Sequence, residues 1–190
     1  DGLYRSADSG STFQNVLPRS FVSAIGVVST GPSVLYAGAA ATYDAPGGQV
    51  YRSIDRGLRW RRVSATLPSD LRILKLMADP RDPRRVLLLS GPDLFAPGAP
   101  RVLLRSLDGG VTWARVAASI GAVADVDMDP GEPDVLYATT RGSGASGSVY
   151  RSGDGGNTWT RQAPHGGAVL VAAAGVVRVV EVGRDPWDLK

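Results

Sequence analysis

Four segments of this chain superimpose without a gap: LYRSADSGSTF from Leu3, VYRSIDRGLRW from Val50, LLRSLDGGVTW from Leu103 and VYRSGDGGNTW from Val149. Their common frame is R-S-x-D-x-G-x-x-aromatic, with serines at Ser6, Ser53, Ser106 and Ser152 spaced by 47, 53 and 46 residues. A period of about 49 residues constrains the fold more than any other property. Each repeat must be one supersecondary unit, unable to bury its apolar surface alone and stabilised by stacking on its neighbours.

A weaker motif lies between these boxes: GPSVLYAG from Gly31, DPRRVLLLSG from Asp82 and EPDVLYATT from Glu132. In each, a proline turn launches a short strand. Every unit therefore holds four short strands, and in the second they are predicted at Leu71–Ala78, Arg85–Leu89, Arg101–Ser106 and Val111–Ala117. No stretch of helical periodicity escapes interruption by Gly or Pro, so the chain is all-β. Four-stranded units at this spacing read as propeller blades, buried on both faces, which explains why Val, Leu and Ala occur at both parities along the strands. The reading is a β-propeller of about four four-stranded blades, one domain over residues 1–190, with boxes near 3, 50, 103 and 149.

The chain opens on the third strand of a unit. Two strands follow Trp159, at Ala168–Ala174 and Val176–Val182, and with Gly2–Ser6 and Ser11–Val16 they would complete a blade that closes the ring and hides its edges. The alternative aligns VEVGRDP, ending at Pro186, with the earlier ADPRDP and DMDPGEP endings. The chain would then be an excerpt of a larger propeller, and Asp185-Pro186-Trp187-Asp188 a docking tail or a truncated turn.

Composition removes several function classes. There is no cysteine and one histidine, His165. Disulfide scaffolds, cysteine nucleophiles, iron–sulfur clusters and multi-histidine metal sites are therefore excluded, and no cofactor is called for. The longest apolar run, around Ala168–Ala174, is far short of a membrane-spanning helix. The net charge is +3, carried by 19 Arg and 2 Lys among 16 Asp and 2 Glu. Basic runs are short, as at Arg59, Arg61 and Arg62, and lack the one-faced clustering with interleaved aromatics of a nucleic-acid footprint.

The segments Ser106–Trp113 and Ser152–Trp159 resemble the Asp-box, or bacterial neuraminidase repeat, S-x-D-x-G-x-T-W. That motif is known from sialidases, xyloglucan-active glycoside hydrolases, sortilin-type receptors and photosystem II assembly factors. The first box has Phe13 in place of Trp, and the second has Arg59 in place of Thr and so lacks the hydroxyl. The residues of the frame are Ser6, Asp8, Gly10 and Phe13; Ser53, Asp55, Gly57 and Trp60; Ser106, Asp108, Gly110, Thr112 and Trp113; and Ser152, Asp154, Gly156, Thr158 and Trp159. An Asp can accept bonds from turn N–H groups, Ser and Thr hydroxyls can close the same loop, and Gly supplies positive φ. The aspartates are therefore expected to staple turns, with the aromatic beginning the last strand and packing beneath. Arg5, Arg52, Arg105 and Arg151 recur just as regularly, and each is expected to pair with acidic or carbonyl groups of its own or the neighbouring blade.

The resemblance implies that the boxes join third and fourth strands away from the ligand side. The opposite rim would then present Arg19, Phe21, Tyr43, Asp44, Asp70, Asp93, Phe95, Arg141 and His165. Loops on a rigid scaffold are where binding resides. The resulting function is a non-enzymatic scaffold binding a protein or glycan partner, alone or within a larger complex. The alternative is a sialidase- or xyloglucanase-like glycoside hydrolase using a carboxylate pair from Asp44, Asp93 and Asp70. Sialidase chemistry also needs a Tyr activated by Glu, whereas the two glutamates are Glu132, in a proline turn, and Glu181, in a predicted strand. A secreted, periplasmic or cell-surface location is what the resemblance implies.

Overall fold

The computed structural model describes residues 2–18, 22–27, 34–39, 48–64, 67, 71–92, 101–140, 147–163, 168–172 and 176–180. The chain divides into two compact units, one of Asp1–Pro100 with Leu104–Arg115 and one of Arg101–Leu103 with Val116–Lys190.

The first unit opens with β1 (Gly2–Arg5) and β2 (Gln14–Pro18), a two-stranded antiparallel sheet. It continues with β3 (Val22–Val27), β4 (Leu35–Ala39), β5 (Gln49–Ser53) and β6 (Arg61–Arg62), a four-stranded sheet in sequence order. A second sheet in sequence order holds β7 (Leu71–Ala78), β8 (Val86–Pro92), β9 (Val102–Ser106) and β10 (Ala114–Val116), and the boundary between the units passes through its last two strands. In the second unit β11 (Val123–Met128), β12 (Leu136–Thr140), β13 (Ser148–Ser152) and β14 (Thr160–Ala163) repeat the four-stranded pattern. Then β15 (Ala168–Ala172) and β16 (Val176–Val180) form a two-stranded antiparallel sheet. A single 3-10 turn at Ala118–Ile120 is the only helical element among the described residues.

The second strand of each four-stranded sheet shows why the sequence carries no clean alternation. Val86, Leu87, Leu88, Leu89 and Ser90 are all buried, as a strand covered on both faces must be. In the first unit the two four-stranded sheets meet where β7 lies on β3 and β4. Glycines make that approach possible: a Cβ at Gly38 would stand 2.6 Å from Ile73 Cγ2, and one at Gly26 would stand 3.1 Å from the Leu76 carbonyl oxygen. Ile73 itself is fully buried. In the second unit the core runs through Val126, Met128, Leu136 and Ala138.

One expectation is altered. The last strand of the second repeat, predicted from Val111, begins only at Ala114 because residues 111–113 belong to the box turn.

Candidate functional site

Each Ser-x-Asp segment folds into the same seven-residue turn. In the first, Ser6 Oγ donates to Asp8 Oδ1 at 2.7 Å and accepts from Gly10 N–H at 2.8 Å. Asp8 then accepts from Thr12 N–H at 2.9 Å and from Thr12 Oγ1 at 2.6 Å. Asp108 and Asp154 repeat this set with Thr112 and Thr158. Asp55 takes the Ser53 hydroxyl and the Arg59 N–H, and the hydroxyl bond is missing where Arg59 replaces Thr.

The backbone explains the glycine. Two successive residues of each turn have positive φ: Ser9 and Gly10, Arg56 and Gly57, Gly109 and Gly110, and Gly155 and Gly156. The second of these reaches φ +92° at Gly110, where a Cβ would also stand 3.0 Å from Val63 Cγ2. That combination admits only glycine without strain.

The electrostatics follow from the bonds. The hydroxyl of Thr12, with its N–H, lowers the Asp8 carboxyl to about 2, and Thr112 does the same for Asp108. Asp154 lies well below the usual carboxylate range for the same reason, its partner being Thr158. The Arg59 N–H lowers Asp55 as well. Asp8, Asp108 and Asp154 have both oxygens taken up by their own turn, whereas Asp55 is held through Oδ1.

The aromatic residue does not open the last strand but precedes it by one position. Trp60, Trp113 and Trp159 donate Nε1–H to the carbonyls of Gly57, Gly110 and Gly156 at 3.0–3.1 Å. Phe13 has no such donor and is 64% exposed.

The proline turns sit against these boxes. Gly109 N–H donates to the Arg84 carbonyl at 2.8 Å and Gly155 N–H to that of Asp134 at 2.9 Å. Inside the proline turns two further aspartates act as staples that the sequence reading did not single out. Asp79 accepts from the N–H groups of Arg81 and Asp82, and Asp129 from those of Gly131 and Glu132. Both are buried. The signal was present in the recurring D-P-x-x-P pattern of DPRDP and DPGEP.

Two of the recurring arginines reach the next repeat. Arg5 Nε donates to the Arg56 carbonyl at 2.9 Å. The Arg52 guanidinium lies 5.9 Å from the ring centroid of Tyr36, with its Nε buried and without a hydrogen-bond partner. Tyr36 is fully buried and donates its hydroxyl to the Pro83 carbonyl at 2.6 Å, and burial pushes its phenol pKa up. The Arg5 and Tyr36 hydrogen bonds tie consecutive repeats of the first unit together, while Arg52 and Tyr36 are partners within one sheet.

The predicted rim residues Arg19, Phe21, Tyr43, Asp44, Asp70, Asp93, Phe95, Arg141 and His165 all lie outside the described residues. Among the described residues no three His, Cys, Asp or Glu side chains gather as a metal site, and no helix is long and apolar enough to cross a membrane.

No family model matches this chain, and no curated protein matches it significantly. Solved structures do. The chain is similar to the GH74 enzyme of Niastella koreensis, with a TM-score of 0.66 and 20% identity over 89% of this chain and 28% of that one. It is similar to a leech intramolecular trans-sialidase, with a TM-score of 0.53 and 17% identity over 92% of this chain and 32% of the other. YCF48 bound to a D1 peptide gives a TM-score of 0.50 and 16% identity, covering 77% and 42% respectively. The chain thus spans less than half the length of each. Repeated four-stranded antiparallel sheets and this set of neighbours make the fold a β-propeller type, built from blades in chain order.

Proposed function

We propose that the chain is an Asp-box propeller scaffold. It binds a protein or glycan partner through the strand connections at the end away from the Ser-x-Asp turns, in an extracytoplasmic setting and within a larger assembly where the partner is one. The observation that carries this reading is the state of the four repeated aspartates. Each is held by the hydroxyl and N–H groups of its own turn, so the most regular acidic constellation in the chain serves architecture rather than catalysis. Partner recognition then falls to the connections carrying Tyr43, Asp44, Asp93, Phe95 and Arg141. The peptide bound to YCF48 and the glycan chemistry of the GH74 and sialidase neighbours supply the two partner classes.

The second reading is a glycoside hydrolase, favoured by the GH74 likeness, with its carboxylates drawn from Asp44, Asp93 and Asp70. Assays on fluorogenic glycosides separate the two. Binding alone predicts no turnover, and turnover abolished by Asp44→Asn or Asp93→Asn would replace the scaffold reading with the enzymatic one.

A further inference from the structure

The box turns of the first unit are not alike on their outer surface. Directly after the Ser and two before the aromatic, outside the Ser–Asp–Thr bonds, the second box carries Ile54 and Leu58. The third carries Leu107 and Val111. All four are strongly exposed, at 70%, 52%, 61% and 49%. The first box has Ala7 and Ser11 at the same places and the fourth has Gly153 and Asn157, so the turn does not require apolar residues there.

The second and third boxes are neighbours. A Cβ at Gly109 would stand 2.9 Å from Arg52 Nη1, and Arg52 directly precedes the second box. The exposed Arg56 and Arg59 alternate with Ile54 and Leu58 along the second turn, and the exposed Arg61 follows it. None of these three guanidinium groups forms a salt bridge among the described residues; Asp55 takes its turn bonds through one oxygen and feels the Arg59 charge only at longer range. Apolar side chains standing on the two turns, with arginines free of salt bridges among the described residues on and beside the second, suit a flat, deformable, anionic surface. There the alkyl groups enter the acyl boundary and the guanidinium groups meet phosphates.

We propose that the edge formed by the second and third Ser-x-Asp turns docks on an anionic lipid bilayer. This contact is peripheral, on the side away from the proposed partner rim, and independent of what that rim binds.

The chain contains no cysteine, which makes a positional test direct. Ile54→Cys, Leu107→Cys and Arg72→Cys are each labelled with an environment-sensitive dye; Arg72 is exposed at the opposite end of β7 from the proline turn. Each is mixed with vesicles of phosphatidylcholine containing about one-third phosphatidylserine and with phosphatidylcholine alone. Dyes at 54 and 107 are expected to shift to the blue with the anionic vesicles only, and the dye at 72 with neither. Sedimentation of unlabelled protein with the same vesicles is the label-free check. There Arg56→Gln with Arg59→Gln, and separately Ile54→Ser with Leu58→Ser, are each expected to weaken binding by about tenfold or more, with unchanged thermal melts showing that the variants fold. No shift at 54 and 107, an equal shift at 72, or sedimentation indifferent to either pair of substitutions overturns the proposal. An acidic protein partner would then be the occupant to seek.

Discussion

Arg5 Nε donates a hydrogen bond to the backbone carbonyl of Arg56, 51 residues further along the chain and inside the next box. The acceptor is the first of the two positive-φ residues of that turn. At the same place in the following box stands Gly109, and the guanidinium beside it is that of Arg52, the counterpart of Arg5. The repeating arginine therefore reaches forward by one repeat, from β1 to the second box and from β5 to the third. Arg5→Gln is expected to cost about 1 kcal/mol, measured as a lower urea midpoint with the m-value unchanged.

Gly38 leaves almost no room for a side chain against Ile73, since a Cβ there would stand 2.6 Å from Ile73 Cγ2. Gly38→Ala forces a methyl into a filled space and should cost about 1–3 kcal/mol. Trimming the partner makes room, so in an Ile73→Ala background the same change should cost clearly less, giving a coupling of about 1 kcal/mol in a double-mutant cycle. Strict additivity of the two losses would contradict the contact.

Backbone strain and steric contact can be separated with a pair of glycines. Gly121 has φ +85° with nothing within 4 Å of a Cβ, whereas Gly110 has φ +92° and meets Val63 at 3.0 Å. Gly121→Ala should cost about 1–3 kcal/mol from its backbone alone, since φ 85° with ψ −145° is open essentially to glycine only, and Gly110→Ala adds the contact with Val63 to its positive-φ strain. Ser9→Gly, which relieves a non-glycine residue at φ 58°, should raise Tm.

Acid stability follows from the stapled carboxylates. Asp8 and Asp108 are lowered from 3.8 to about 2, so the folded state holds these protons less tightly than the unfolded chain. Their stabilisation is complete above about pH 4 and is lost as the pH falls towards 2. Thr112→Val removes the largest cause at Asp108. The Tm difference between this variant and the parent should be greatest near neutrality and shrink to the packing effect alone by about pH 2. A difference constant across that range would mean that the hydroxyl does not act through the carboxylate.

Much of the fold was legible because the period is strong. The strand at Leu71–Ala78 lies where the run between turn signals placed it, and the last two described strands begin at the predicted Ala168 and Val176. The start of β10 was misjudged because Val111 and Trp113 have strand-like character, while the Asp108 carboxylate holds residues 111 and 112 in the turn through their N–H groups. Propensity lost to a local side-chain bond. Asp79 and Asp129 escaped notice because a lone Asp before Pro looks like ordinary turn punctuation, and only burial shows that its carboxylate is spent inward. That Arg5 would meet a carbonyl of its own or the neighbouring repeat was expected from its recurrence, but which carbonyl it meets depends on how one repeat stacks on the next. The rim chosen from topology falls on residues 19, 21, 43, 44, 70, 93, 95, 141 and 165, outside the described residues.

The staple closes within seven residues, through Ser, Asp and, where present, Thr. The side chain directly after the Ser owes nothing to this closure, as Ala, Ile, Leu and Gly at that position show. Each turn is thus a socket with interchangeable pegs. New chemistry can be written onto successive sockets without renegotiating the core, so the acidic signature that reads like an active site is what allows the surface around it to diverge.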